Sequence, residues 1–265
     1  MNRFTATPEE RRTYQEKGFF IRERVFSEPE LDVLRRAVDR IHEDMETVAA
    51  SADAPPVKMV DDKRHQDIRG SCVKWEWQDG ARDIRSMEPF LHLHPDLAEL
   101  IDDPRLWAPV APLLDEPELS LFTDKLNFKR PGGAPFPWHQ DSPYFYFGCA
   151  HVHRLVSLQL YLDDATRDNG CLWMIPGSHQ TVHPTVQDKG ALDRLYTNMD
   201  VFSGEEPRPI EVPAGSVIYF HTNVVHGSKG NHTNDARRAM VITYQPAGHP
   251  MWRLPGDRPV KASPV

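Results

Sequence analysis

Apolar positions along the chain change period partway through. In the first fifty residues they recur at helical spacing. Thr7-Pro8-Glu9-Glu10 offers an N-cap, a proline at the first helical position and a glutamate at the third, and Gly18 offers a stop. Ser27-Glu28-Pro29-Glu30 repeats that signal. Leu31, Leu34, Val38, Ile41, Met45 and Val48 then fall on one stripe, which predicts a helix packed on a core. Residues 50–88 have few aliphatic positions and scattered Lys, Arg and Asp, so they predict a long, mainly irregular cover segment. Pro95 to Leu114 predicts two short helices joined at Asp103-Pro104.

From about Ser120 the period becomes two. Lys125, Asn127 and Lys129 alternate with Leu126 and Phe128, and Val156, Leu158, Leu160 and Leu162 alternate with Ser157, Gln159 and Tyr161. "GSVIYFHTNVVHGS" and "RRAMVITYQ" read as further strands, punctuated by turns such as Arg167-Asp168-Asn169-Gly170 and Pro213-Ala214-Gly215. The expected fold is mainly β with flanking helices: a jelly-roll (double-stranded β-helix) core with the N-terminal helices packed outside. One domain over 1–265 is expected, with helical and cover segments in 1–118 and the core in 119–247. An excursion from the core would span 180–210, and a tail 248–265.

Composition narrows the partners. Asp and Glu number 39 against 31 Lys and Arg, a net charge of −8, which argues against nucleic acid or an anionic membrane as the main partner. No apolar run approaches a membrane span, and MNRFTATPEERR lacks the apolar stretch of a secretion signal. Cys72, Cys149 and Cys171 are odd in number and lack zinc-type spacing, so a reduced, cytoplasmic protein acting on a small molecule is expected.

Candidate chemistry begins at "PWHQD". On a strand, residues two apart share a face, so His139 and Asp141 can both turn inward and share a metal ion. A His-x-Asp pair alone also fits a surface loop or a helix cap. Downstream, His226 lies on a late strand, 85 residues past Asp141, and Arg237 follows it by eleven. Two imidazoles and one carboxylate on one face of iron make the facial triad of non-haem Fe(II) oxygenases. Such iron needs an electron source. 2-Oxoglutarate serves by binding through two oxygens, and its far carboxylate then calls for a buried cation, for which arginine's planar fork is suited.

The sequence resembles the phytanoyl-CoA dioxygenase family of Fe(II)/2-oxoglutarate oxygenases. The resemblance rests on "YQEKGFFIRERVFSEPELDVLRRAV", "KLNFKRPGG", "PWHQD", "DNGCLWMIPGSH" and "HGSKGNHTNDARRAM". It implies that His139, Asp141 and His226 hold Fe(II), that Arg237 and Ser228 hold 2-oxoglutarate, and that Lys125, Asn127 and Gln159 line the cosubstrate pocket, with O2 as the oxidant. It also implies hydroxylation, with desaturation, epoxidation or ring rearrangement at the same iron as alternatives, and not halogenation, since related halogenases have a small residue where Asp141 stands.

Several positions compete with this assignment. His221 is a decoy for the third ligand; it would lie on the opposite face of a regular strand, and His232, not arginine, stands eleven beyond it. Alternation lets only one of Arg237 and Arg238 face inward. Tyr144 and Tyr146, within the run Tyr144 to Phe147, are expected on the substrate pocket wall, as is Trp173, with alternation between core and surface or simple core packing as the other readings. Lys58, Lys63, Arg64, Arg69 and Lys74 meet an anionic group if residues 50–88 cover the mouth; otherwise they form a solvated loop. The substrate is expected to be small and partly apolar, a secondary metabolite or similar. The chain closes on Ser263-Pro264-Val265, not a peroxisomal Ser-Lys-Leu, so the peroxisomal role of the family's namesake is not expected. A cupin-like metalloenzyme without 2-oxoglutarate, or a metal-binding sensor, would need no Arg237.

Overall fold

The computed structural model describes residues 3–77, 83–186, 195–202, 204 and 206–261. Thr7 caps helix α1 (Pro8–Lys17) in a capping box with Glu10, and Gly18 ends it at φ 84°, a left-handed position. A Cβ on Gly18 would lie 2.4 Å from Val224 Cγ2, so glycine is required twice over. Ser27 and Glu30 form the capping box of α2 (Glu28–Ala49), whose stripe Leu31, Leu34, Val38, Ile41 and Met45 is buried in the main core. Each such side chain contributes roughly 1.5–3 kcal/mol by leaving water. The Pro95–Leu114 region does break at Asp103, which caps the following turn, but it holds several short turns: α3 (Pro95–Ala98), α4 (Pro104–Trp107), α5 (Ala111–Leu114) and a 3-10 turn at Glu99–Asp102.

The strands are β1 (Phe19–Arg22), β2 (Val57–Val60), β3 (Lys63–Ile68), β4 (Ser71–Trp75), β5 (Ile84–Glu88), β6 (Leu119–Lys129), β7 (Phe136–His139) and β8 (Val156–Tyr161), then β9 (Leu172–Met174), β10 (Thr185–Val186), β11 (Tyr196–Thr197), β12 (Arg208–Ile210), β13 (Val217–His221), β14 (His226–Ser228) and β15 (Arg237–Pro246). Among the described residues they form two antiparallel sheets. The major one runs β1-β13-β8-β15-β6-β5-β4-β3-β2, and the minor one β10-β11-β7-β14-β9-β12. This is the jelly-roll expected.

Two expectations need correction. Residues 50–88 are not mainly irregular: β2 to β5 extend the major sheet beyond β6. Ile68, Val73 and Met87 on these strands join the main core, while the alternate face, Lys63, His65, Lys74 and Ser86, lines a cleft. Residues 180–210 do carry strands, and β11 returns to pair Tyr196 with His139; residues 187–194, 203 and 205 of that stretch lie outside the described ones. The described part of the tail packs on the core. Trp252 donates its backbone N–H to Phe122, Arg258 pairs with Asp102 at 2.6 Å, and Pro259 bridges Ser120. Ser263–Val265 lie outside the described residues.

Candidate metal centre and its two cavities

His139 and His226 sit directly opposite one another on the neighbouring antiparallel strands β7 and β14, so their side chains share the face turned toward the major sheet. Asp141 arrives differently from the strand alternation expected. It lies past the end of β7, in helical conformation (φ −76°, ψ −38°), opening α6 (Ser142–Phe145). Its backbone N–H donates to Thr222 O at 2.8 Å, which fixes the turn. The result is a compact trio: one ligand atom each from His139, Asp141 and His226 lie within 4.8 Å of one another. Asp141 Oδ1 is 3.6 Å from His139 Nε2 and 3.8 Å from His226 Nε2.

Backbone carbonyls orient both imidazoles. His139 Nδ1 is 2.7 Å from Pro137 O, and His226 Nδ1 is 2.8 Å from Val224 O. A carbonyl can only accept, so each Nδ1 carries the hydrogen and each Nε2 turns its lone pair on the shared point. Burial, and then His139, push His226 down to about 4, so that ring is neutral. Burial opposes charge on Asp141, but His226, His139 and Lys125 together hold its carboxyl below the ordinary range. Two imidazoles held through Nδ1 and an ionised carboxylate are the donor set a divalent iron needs.

Beneath the trio a chamber of about 70 Å³ lies between the sheets, lined by Lys125, Asn127, Gln159, Tyr161, Ser228 and Arg237 among others. Register explains this set. Asn127 faces Ala239, Lys125 faces Val241 and Val241 faces Gln159, so these side chains line one face of the major sheet. Arg237 is 3% exposed and its Nε is buried without a hydrogen-bond partner. Burial lowers its pKa from the usual guanidinium value. An orphaned buried guanidinium beside a metal trio fits a carboxylate ligand. Arg238 turns away, chelated by Asp163 and Asp39.

Sequence reasoning missed Lys129. It is 1% exposed and its Nζ donates to Ser228 Oγ at 2.7 Å and to Lys229 O. The Phe136 N–H, 3.4 Å away, also points at Ser228 Oγ. With two donors on its oxygen, the Ser228 hydroxyl must direct its own hydrogen elsewhere, and the chamber is what it lines. The signal was present, since Lys125, Asn127 and Lys129 alternate in phase. Gln140, between the two ligands, turns away from them. Its amide donates to Thr181 O and Asn223 O and accepts from His183 N, tying the ligand turn to two loops.

Above the trio opens a second cavity of about 250 Å³, with Tyr144, Phe136, Phe145, Tyr196 and Trp252 on its walls and Lys63, Lys74, Lys125 and Arg253 around it. Tyr144 is where the sequence placed it. Tyr146 and Trp173 are not: the aromatic run is a helical turn, not an extended segment, and Tyr146 is 52% exposed with Phe147 at 89%. Trp173, on β9, lies under the cations of Lys229 and Arg167 and lines neither cavity. His221 ends β13 in the major sheet while His226 begins β14 in the minor one. The two are separated by a change of sheet rather than by alternation along one strand. His221 Nδ1 accepts from the Asn223 N–H, and the ring is not part of the trio.

A jelly-roll of two antiparallel sheets with a His-x-Asp…His cluster between them defines the structural class of this protein. A family profile, Phytanoyl-CoA dioxygenase (PhyH), matches residues 14–239, and the chain belongs to that family. It is 31% identical over 166 residues to the 2-aminoethylphosphonate dioxygenase of an uncultured bacterium and 30% identical over 165 residues to the methylphosphonate hydroxylase of Gimesia maris. Each alignment covers 62% of this chain, and they span 60% and 59% of those relatives. Crystalline EctD from S. alaskensis, with 2-oxoglutarate and 5-hydroxyectoine, superposes with a TM-score of 0.72 at 21% identity over 100% of this chain and 87% of that one, a likeness of fold. Among the described residues no helix is long and apolar enough to cross a membrane.

Proposed function

We propose that the chain is an Fe(II)/2-oxoglutarate-dependent dioxygenase that hydroxylates a small molecule. The observation that carries this reading is the buried, unpartnered Nε of Arg237 in a chamber adjoining the His139, Asp141 and His226 trio. A cupin-like metal site or a sensor has no use for such a cation. When bound, iron and 2-oxoglutarate supply activation of O2: the cosubstrate loses CO2 to become succinate, and one oxygen atom goes to the substrate. His139, Asp141 and His226 hold the metal. Arg237 and the Ser228 hydroxyl bind the distal carboxylate, with Lys125, Asn127 and Gln159 completing the chamber. Tyr144 and the cleft rings exclude water around the reacting carbon.

On this reading residues 1–265 act as one catalytic domain, which the packing of α2 and of the C-terminal segment on the barrel supports. The three unpaired cysteines suit a reducing, cytoplasmic setting. The related proteins named above take small substrates, and the size of the cleft suits a substrate of that kind. The test is anaerobic titration of the apoprotein with Fe(II), then 2-oxoglutarate, following the visible charge-transfer band. A band that requires both, and weakens in Arg237→Met, supports the assignment. Iron binding with no band on adding 2-oxoglutarate would leave a cupin-like or sensing role instead.

A further inference from the structure

The short strand β7, which carries His139, is approached through Ala134 and Pro135, two residues that lie in no strand. Arg85 of β5 holds both of their carbonyls. Its Nη1 donates to Ala134 O at 3.0 Å and its Nη2 to Pro135 O at 2.6 Å. The same guanidinium packs 3.8 Å from the ring centre of Phe136, the first residue of β7, and 4.2 Å from that of Trp77. Glu76 completes the arrangement: its Oε2 lies 3.3 Å from Arg85 Nη1 and accepts from the Ala134 N–H at 3.4 Å. Glu76 and Arg85 are both buried.

Phe136 lines the outer cleft and the inner chamber alike. It stands opposite Ser228 in the pairing of β7 with β14, and three residues further on His139 stands opposite His226. Its ring therefore forms the chamber wall at one end of the strand whose other end holds the metal ligand. The loop before it is already in close contact with the ion pair, since a Cβ on Gly133 would lie 2.8 Å from Arg130 O and 3.3 Å from Glu76 Oε1. A buried ion pair is weak evidence for stability, because desolvation offsets much of its attraction. A planar fork aimed at two successive carbonyls does something else: it fixes geometry.

Resting on the dioxygenase reading for the identity of the chamber's ligand, we propose that Arg85 is a positioning residue for 2-oxoglutarate. It acts through Phe136. The fork sets the backbone of Ala134 and Pro135, the guanidinium backs the ring, and the ring bounds the chamber in which Arg237 and Ser228 receive the cosubstrate. Glu76 keeps the guanidinium in place. Arg85 lines the cleft and not the chamber, so a residue of a cleft strand sets a wall of the cosubstrate site.

Arg85→Met alone would leave Glu76 buried without its counter-charge, so the test uses Arg85→Met/Glu76→Gln, which removes both charges together. Anaerobic protein holding Fe(II) is titrated with 2-oxoglutarate while the charge-transfer band is followed, and Fe(II) affinity is measured separately. The double variant should need about tenfold more 2-oxoglutarate, the scale of coupling through packed neighbours, and should bind Fe(II) as the wild type does. Arg85→Lys keeps the charge but not the fork, and should show a loss of the same order. Phe136→Leu should also weaken 2-oxoglutarate, and adding it to the double variant should cost little more than the larger effect alone. Should the double variant not fold, Arg85→Lys with and without Phe136→Leu decides the same question. The proposal fails if these variants keep wild-type 2-oxoglutarate affinity, if the losses add in full with Phe136→Leu, or if Fe(II) affinity falls in step, which marks a general loosening of β7. A wild-type protein that binds Fe(II) without the band overturns the dioxygenase reading and this proposal with it, whereas a wild-type band that the Arg85 variants leave unchanged overturns this proposal alone.

Discussion

The inner chamber and the outer cleft share one sheet, yet they are built in opposite ways. Around the trio, both imidazoles are pinned by carbonyls, Asp141 by a backbone hydrogen bond, and Ser228 by the buried Lys129. The cleft above takes its walls in part from β3 to β5, the returning β11 and the C-terminal segment, and carries its charge on long side chains. A rigid inner site suits one invariant metal and one invariant cosubstrate, because fixed geometry removes reorganisation from the reaction. An outer site made of appended strands and loops can change its ligand while the metal centre stays fixed. Substitutions other than at the Arg85 clamp should therefore separate the two regions cleanly.

The largest expected effect is at the trio. Asp141→Ala and His226→Ala should each abolish iron retention and turnover. His221→Ala should keep iron and most activity. Iron loss in a folded His221→Ala protein, measured by metal analysis, would mean that the third ligand is misassigned.

That assignment was legible in the sequence, though partly for the wrong reason. The chemistry of His139, Asp141 and His226 pointed to a metal, but Asp141 reaches it from a helical turn and His221 is excluded by a change of sheet. The core strands were legible because one face is continuously apolar, as in Val156, Leu158 and Leu160. β2 to β5 were not, because their cleft face bears Lys63, His65 and Lys74 and the core face is interrupted by Arg64 and Gln66. Strands that line a polar cavity lose the clean apolar alternation by which strands are recognised. Tyr146 and Trp173 were misplaced because alternation cannot foresee a helical turn or say which face of the minor sheet points outward.

The next effect should be confined to the chamber. Arg237→Met removes a buried charge partner, a class of change that costs 2–5 kcal/mol, so the 2-oxoglutarate requirement should rise on the order of 100-fold. Iron affinity should hold. Lys129→Met should give a smaller rise, about tenfold, by releasing the Ser228 hydroxyl from its set orientation. If Lys129 acts through Ser228, adding Ser228→Ala to Lys129→Met should cost little more than the larger single change. Full additivity in KM for 2-oxoglutarate would refute that route.

The smallest effect should fall on both regions at once, through the floor they share. His42 on α2 packs edge-on against Phe128 of β6, with ring centroids 4.4 Å apart. Arg130 Nη2 lies 2.8 Å from His42 Nε2, and a guanidinium only donates, so the ring accepts and is neutral. Burial, and then Arg130, lower its pKa to about 4, despite Glu46 at 3.6 Å from Nδ1. The unfolded chain therefore binds more protons than the folded one between the ordinary histidine value and about 4. Stability associated with neutral His42 is complete above that window and is lost as pH falls through it. Urea unfolding of wild type and His42→Gln from pH 7.5 to 4.5 should show the wild type losing on the order of 1–3 kcal/mol more across the window. Parallel unfolding curves for the two proteins would show that His42 does not carry this dependence.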